Sequence, residues 1–337
     1  MEAEIRDKIC KKIIPKIEPF GEFYYFNCFY SSLIPVILLY NKSIMPILIN
    51  GIFTYRINHE IDDLCLCAGY EHITNLKDIL NEQGIVLNAK EKSNCIIDDI
   101  INSISSERPV ITWVDCFYES IRDDLYMKEH WRHSILYYGF DLSERLFYII
   151  EHDKRDDIEY RKKTISFEDV INSYQGYLKH FHQNNTMSYI DFSCLNLISD
   201  KVDMEQYKNK YLENFRLSKK KIDKGLVTLK DTIDKLLELI DDEDLLSQKC
   251  EKILLGFNDI IEAKRTEKYL VTRLFGESNT KIAMLDEVAT HWKAVRAVFA
   301  RYIYSNIYRQ KSFFNAKNSL KDICNIELEY YGSMLKL

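Results

Sequence analysis

The sequence predicts an α+β protein in which a mixed strand-and-helix segment is followed by a purely helical one. Through about residue 195, short runs rich in β-branched and aromatic residues alternate with helical patterns. From about Lys201 onward, apolar residues recur three and four apart in long charged segments. No internal repeat and no Pro- or Ser-rich linker separates the two patterns. A length of 337 residues fits about two domains, and the change of period divides them as 1–198 and 199–337.

The elements follow in order. Ser43–Thr54 (SIMPILINGIFT), Pro109–Val114 (PVITWV), Ser134–Gly139 (SILYYG) and Leu146–Ile150 (LFYII) read as strands from their composition and turn-like borders. Gly139–Arg145 (GFDLSER) reads as the hairpin connection between the last two. In the second segment Leu226, Leu229, Ile233, Leu236, Leu237 and Ile240 form one helical stripe. Helices are expected over 203–241, 243–274, 279–311 and 315–335, with Gly256 and Gly276 as interruptions or caps.

Composition limits the function. Lys and Arg total 46 against 52 Asp and Glu, a formal charge of −6 with pI near 5.8, which argues against a dedicated nucleic-acid binder because counterion release needs a basic face. A 46% hydrophobic fraction with only 10 Gly and 5 Pro excludes a disordered or collagen-like chain. The N-terminal MEAEIRDKICKKIIPKIEP has no apolar core of a secretory signal. The most apolar stretch, Phe29–Asn50, is broken by Asn41, Lys42 and two prolines. A cytoplasmic protein without a membrane span is expected. Its nine scattered cysteines are then reduced, and one is available as a nucleophile.

Two constellations suggest chemistry. Cys28, in FGEFYYFNCFYSSLIPVILL, lies where an irregular aromatic approach meets an apolar stretch able to start a helix. The positive end of a helix dipole favours the reactive thiolate; the plainer reading is a buried cysteine acting as a small hydrophobe. His133 precedes an apolar strand that turns at Gly139 and returns to Glu151 and Asp153. Histidine on one strand and a carboxylate on its hairpin partner make a base and its orienter. Glu151 and Asp153 share strand parity, so either fits. The plainer reading is a surface histidine beside a turn. His130 and His133 form H-x-x-H without the glutamate of a zinc-protease helix, so no metal is expected there. Cys65 and Cys67 lack a second cluster at ligand spacing and read as core residues. Asp115, Glu119, Asp123 and Asp124 form an acidic run before His133, read first as a solvated face.

Taken in order, these residues resemble a papain-like cysteine enzyme of the peptidase C39-like branch. The similarity is greatest to the family of the butirosin biosynthesis protein H amino-terminal domain. Its carriers are Asn27-Cys28, the strand Pro109–Tyr118 (PVITWVDCFY), His133–Asp141 (HSILYYGFD) and Thr164–Tyr174 (TISFEDVINSY), within residues 18–180. The resemblance implies a papain-like catalytic domain with a helical carboxy-terminal domain behind it. The triad it implies is Cys28, His133 and Glu151, with Asp153 the family's residue type two positions later. Asn27, Asp115 and Tyr118 would contact substrate. The usual oxyanion-hole glutamine is absent, and the region offers Glu22 instead.

The implied activity is acyl transfer. An acyl chain leaves the phosphopantetheine thioester of an acyl- or peptidyl-carrier protein and forms an amide on an amine or diamine in natural-product biosynthesis. One such relative joins polythioamide chains to a diamine in making closthioamide. No cofactor is implied beyond the phosphopantetheine on the carrier protein. The alternatives are a peptidase or thioesterase using water, and an inactive pathway scaffold. A diamine would be held by the acidic run, and the basic stretch Arg216–Lys224 (RLSKKKIDK) would dock an acidic carrier helix unless it is simply a solvated helix face.

Overall fold

A computed structural model describes residues 10–154, 159–195 and 203–337. In chain order the elements are β1 (Lys11–Ile13), α1 (Cys28–Leu39), α2 (Met45–Asn50), β2 (Gly51–Ile57), β3 (Leu66–His72), α3 (Leu76–Glu82), β4 (Ile85–Lys90), α4 (Ile96–Ser105) and β5 (Val110–Asp115). A short 3₁₀ turn, Cys116–Tyr118, follows β5. Next come β6 (Arg132–Asp141), β7 (Leu146–Glu151), β8 (Arg161–Ser166), α5 (Phe167–His180) and β9 (Tyr189–Cys194). Five helices complete the chain: α6 (Met204–Leu217), α7 (Lys219–Leu239), α8 (Glu243–Phe275), α9 (Thr280–Ser305) and α10 (Gln310–Met334). The architecture is mixed α and β, with one large sheet and a helical carboxy-terminal region.

The chain gathers into two compact units, Met1–Ile44 with Asn75–Lys201 and Met45–Thr74 with Val202–Leu337. The first is built on an antiparallel sheet in the order β4-β9-β5-β6-β7-β8, with β1 added against β6. Strand β6 is buried from His133 to Asp141. It is paired along both edges, and α1 and α4 pack against it, so its sequence reads as a nearly continuous apolar run. Helix α5 packs on β5 and the 3₁₀ turn. A Cβ added at Gly176 of α5 would lie 2.5 Å from the Tyr118 ring, so only glycine permits that approach.

In the second unit the β2–β3 hairpin packs against α7 and α8. A Cβ on Gly256 would fall 2.0 Å from the Leu66 carbonyl oxygen, and glycine here lets α8 close on β3 without breaking the helix. Lys264 is wholly buried between Glu267 (2.9 Å) and Glu327 (2.8 Å), and the Phe53 ring lies 4.3 Å from its ammonium. Among the described residues no helix is long and apolar enough to cross a membrane.

Several expectations change. Ser43–Thr54 is not one strand: it becomes α2 and then β2, because Pro46 near the start of the run suits a first helical turn and short apolar runs do not discriminate by period. The segment 45–74 was expected in the first domain but packs with the helices. The expected boundary at 198/199 lies outside the described residues. The helix expected over 203–241 is two, meeting at the buried Ser218. Gly276 (φ 82°) ends α8, whereas Gly256 interrupts nothing.

Candidate active site

Helix α1 begins at Cys28. Asn27 caps it in an extended conformation, its side-chain oxygen accepting from the Tyr30 N–H at 3.4 Å. The preceding Phe26 is left-handed, with φ 60°, a conformation that costs a bulky residue about 1–3 kcal/mol and recurs at functional sites. This turn brings the chain abruptly into the helix and sets Cys28 at its positive end. As the first helical residue, Cys28 has a backbone N–H with no intrahelical acceptor.

The Cys28 thiol faces His133. Burial opposes its ionisation, but attraction to His133 and hydrogen bonds from His133 and Ser134 outweigh that and hold the thiol below its ordinary range. Part of the residue nonetheless remains exposed. Burial would also discharge His133, yet Glu151 and Cys28 raise its pKa well above the usual value. Each shift favours the charged partner of the other, the thiolate beside the imidazolium.

His133 Nε2 lies 3.0 Å from Glu151 Oε2, leaving Nδ1 for the thiol. Among the described residues neither Nε2 nor Oε2 has a well-aligned hydrogen-bond partner. The contact is thus chiefly ionic, a looseness common in catalytic hydrogen bonds before substrate binds. Sheet register explains the meeting. Leu136 pairs with Ile150; continuing one residue sets Glu151 opposite Ile135, two residues along β6 from His133 and on the same face.

A buried polar layer supports Glu151. Its Oε1 accepts from the His152 backbone N–H (2.9 Å) and from Arg122 (3.4 Å). Burial alone would protonate this carboxyl; His133, His152 and Arg122 hold its pKa below normal. Arg122 is itself fully buried and fixed by Asp124 through contacts of 3.1 and 3.3 Å. The His152 ring lies between those of His133 (centroids 4.8 Å apart) and Tyr160 (4.9 Å), shielding the ion pairs from water. Glu119 is buried as well, and burial and the charge of Glu151 push its pKa up to about 8.

Asp153 does not join this group. Strand β7 ends at Glu151, so parity no longer governs two residues later. Asp153 turns to the surface, where Arg161 and Lys163 pair with it and hold its pKa down. Asp115 and Tyr118 also gather elsewhere. Asp115 Oδ1 accepts from the Phe117 and Trp131 backbone N–H groups (3.1 and 3.2 Å), and Oδ2 meets His130 Nδ1 at 2.7 Å. Tyr118 packs beside Phe117 and on Gly176. The acidic run is not simply a solvated face, since Asp115 and Glu119 are buried, Asp124 holds Arg122 and only Asp123 is exposed. Glu22 is exposed. Cys65 and Cys67 are buried in the second unit, with pKa values raised to about 11 and about 12 by burial.

Sequence reasoning passed over Arg122 and His152, and it read Glu119 only as part of the acidic run. Arg122 was the one cation within an acidic run, and His152 stood between the two candidate acids. Both were visible, but nothing local distinguished them from solvated charges. No family model matches the chain, and no curated protein matches it.

Proposed function

We propose that this protein is a cysteine-dependent acyltransferase with a papain-like first domain. The observation that supports this best is the line Cys28–His133–Glu151, in which a thiol at a helix N-terminus faces an imidazole whose other nitrogen meets a buried carboxylate. The order of the parts supports the family reading too: nucleophile on a helix packed against an antiparallel sheet, histidine on one strand, acid on the next.

The Cys28 thiolate attacks the carbonyl of a carrier-bound thioester. The tetrahedral oxyanion is met by the Cys28 N–H and by Asn27 Nδ2, since Asn27 Oδ1 is engaged as the helix cap. The carbon–sulfur bond to phosphopantetheine breaks, and the departing thiol takes its proton from His133. An amine then attacks the Cys28 thioester, His133 accepts its proton, and collapse releases the amide and regenerates the thiolate. Glu151 keeps the imidazole oriented and stabilises its charge throughout. Enclosure by His152 and Tyr160 favours the amine over water.

A carrier protein presenting acidic helix residues is the partner, and the exposed Arg216, Lys220 and Lys224 offer it positive charge, while Lys219 and Lys221 already meet Asp223 and Glu71. Incubation with acyl-phosphopantetheinyl carrier proteins or small acyl thioesters tests the proposal. A Cys28 adduct discharged by amines supports it. An adduct lost equally fast in water alone makes the protein a hydrolase, and failure of every thioester to acylate Cys28 leaves only a scaffold.

A further inference from the structure

A second cluster lies apart from the thiol, and its donors come from three elements. Asp115 ends β5, His130 lies just before β6, and His180 is the last residue of α5. One ligand atom from each falls within 4.8 Å of the others. The rings of His130 and His180 are 4.0 Å apart at their centroids, and Phe117 stacks on His130 at 4.4 Å, fixing its orientation. The Asp115 side chain is fully buried, while both histidines reach solvent. We infer that Asp115, His130 and His180 bind a divalent transition metal of the zinc or cobalt type, with solvent completing its coordination.

Charge and donor chemistry both support this. Among the described residues no Lys or Arg pairs with Asp115, whose only ionic neighbour is His130. A buried carboxylate facing two imidazoles and no fixed cation lacks the positive charge that burial demands, and a dication supplies it. Two imidazoles and one carboxylate suit zinc, cobalt, nickel and copper rather than magnesium or calcium. The carboxylate is already oriented, since two backbone N–H groups occupy Oδ1 and leave Oδ2 for the metal. Ligand atoms around a tetrahedral ion at about 2.0–2.1 Å sit farther apart than the 2.7 Å between His130 Nδ1 and Asp115 Oδ2. The ion therefore enters between them, and the proton they share is released to solvent. The group His133, Glu151 and His152 has donors at similar spacing, but Arg122 already neutralises that carboxylate and all three residues are enclosed. The metal site would tie the end of α5 to the segment entering β6, three residues before His133.

Cobalt(II) titration of the full chain tests the inference, read by visible ligand-field bands. One equivalent should develop those bands without the near-ultraviolet charge transfer of a cobalt–thiolate bond. His180→Ala and His130→Ala should each weaken binding by about 10-fold or more, while His133→Ala should leave it unchanged. Zinc should raise the unfolding temperature of the native chain and not of His180→Ala, whose replaced side chain is exposed. No ligand-field bands up to about 1 mM cobalt, an unchanged cobalt affinity in His180→Ala, or a thiolate charge-transfer band would each overturn the assignment.

Discussion

The opposed shifts of Cys28 and His133 have consequences for pH. A lowered thiol pKa means that the thiolate forms as pH rises through a value below the ordinary 9.0, and a raised imidazole pKa means that the charge on His133 persists well above the ordinary 6.5. Acyl transfer should therefore follow a bell with its acid limb set by Cys28 and its alkaline limb by His133. Glu151→Gln removes the largest influence raising His133. The alkaline limb should move toward acid, the Cys28 limb toward alkali, and kcat should fall by about 10²–10⁴-fold. Asp153→Asn should leave both limbs and the rate near their original values; steady-state kinetics across pH distinguishes the two variants. This difference also marks the reach of sequence reasoning. Cys28, His133 and a carboxylate beyond the turn were legible from order alone. The choice between Glu151 and Asp153 was not, because parity holds only while the strand lasts, and its end at Glu151 depends on pairing with β8. Arg122 was hidden for a related reason: burial of a guanidinium depends on partners 2 and 29 residues away.

At the level of single elements, the start of α1 carries two separable duties. Asn27→Ala should cost about 0.5–2 kcal/mol through loss of the cap, measured by urea denaturation. Asn27→Asp keeps a capping oxygen but replaces the amide donor with a negative charge, so stability should hold while kcat drops by about 10²–10³-fold. In the polar layer, Arg122→Met strands the Glu151 carboxylate and should destabilise the first unit by about 3–5 kcal/mol. Gly176→Ala on α5 forces a methyl group against the Tyr118 ring and should cost about 1–3 kcal/mol; a normal unfolding midpoint would contradict that packing. Element type was readable where period and length agreed, as in β5, β6, β7 and α8. It was misread at Ser43–Thr54, where a helix of six residues feeds directly into a strand and neither is long enough to show its period.

On the scale of the whole molecule, the chain leaves its first unit at Met45 and returns at Asn75. The division between units is thus not a single cut in the sequence, which no local change of composition announces. The excursion contributes Ile52, Phe53, Tyr55, Leu66 and Cys67 to the buried interior of the helical unit. Removing residues 203–337 alone should leave that hairpin without its cover and give an insoluble fragment, whereas replacing 45–74 by a short linker in the same truncation should restore solubility; centrifugation and circular dichroism compare the two. Lys264→Met should destabilise the helical unit by about 3–5 kcal/mol, because Glu267 and Glu327 then lose their buried cation.

The proposed mechanism stands on Cys28 carrying an acyl group between a thioester and an amine. Intact-protein mass spectrometry after mixing with acyl thioesters probes that step without intermediaries, with peptide mapping to separate Cys28 from the exposed Cys10 and Cys95. One acyl adduct is expected on Cys28, absent from Cys28→Ala and His133→Ala, and it should disappear with amide formation when an amine is added. Amide formation by the Cys28→Ala protein at the native rate would contradict the mechanism.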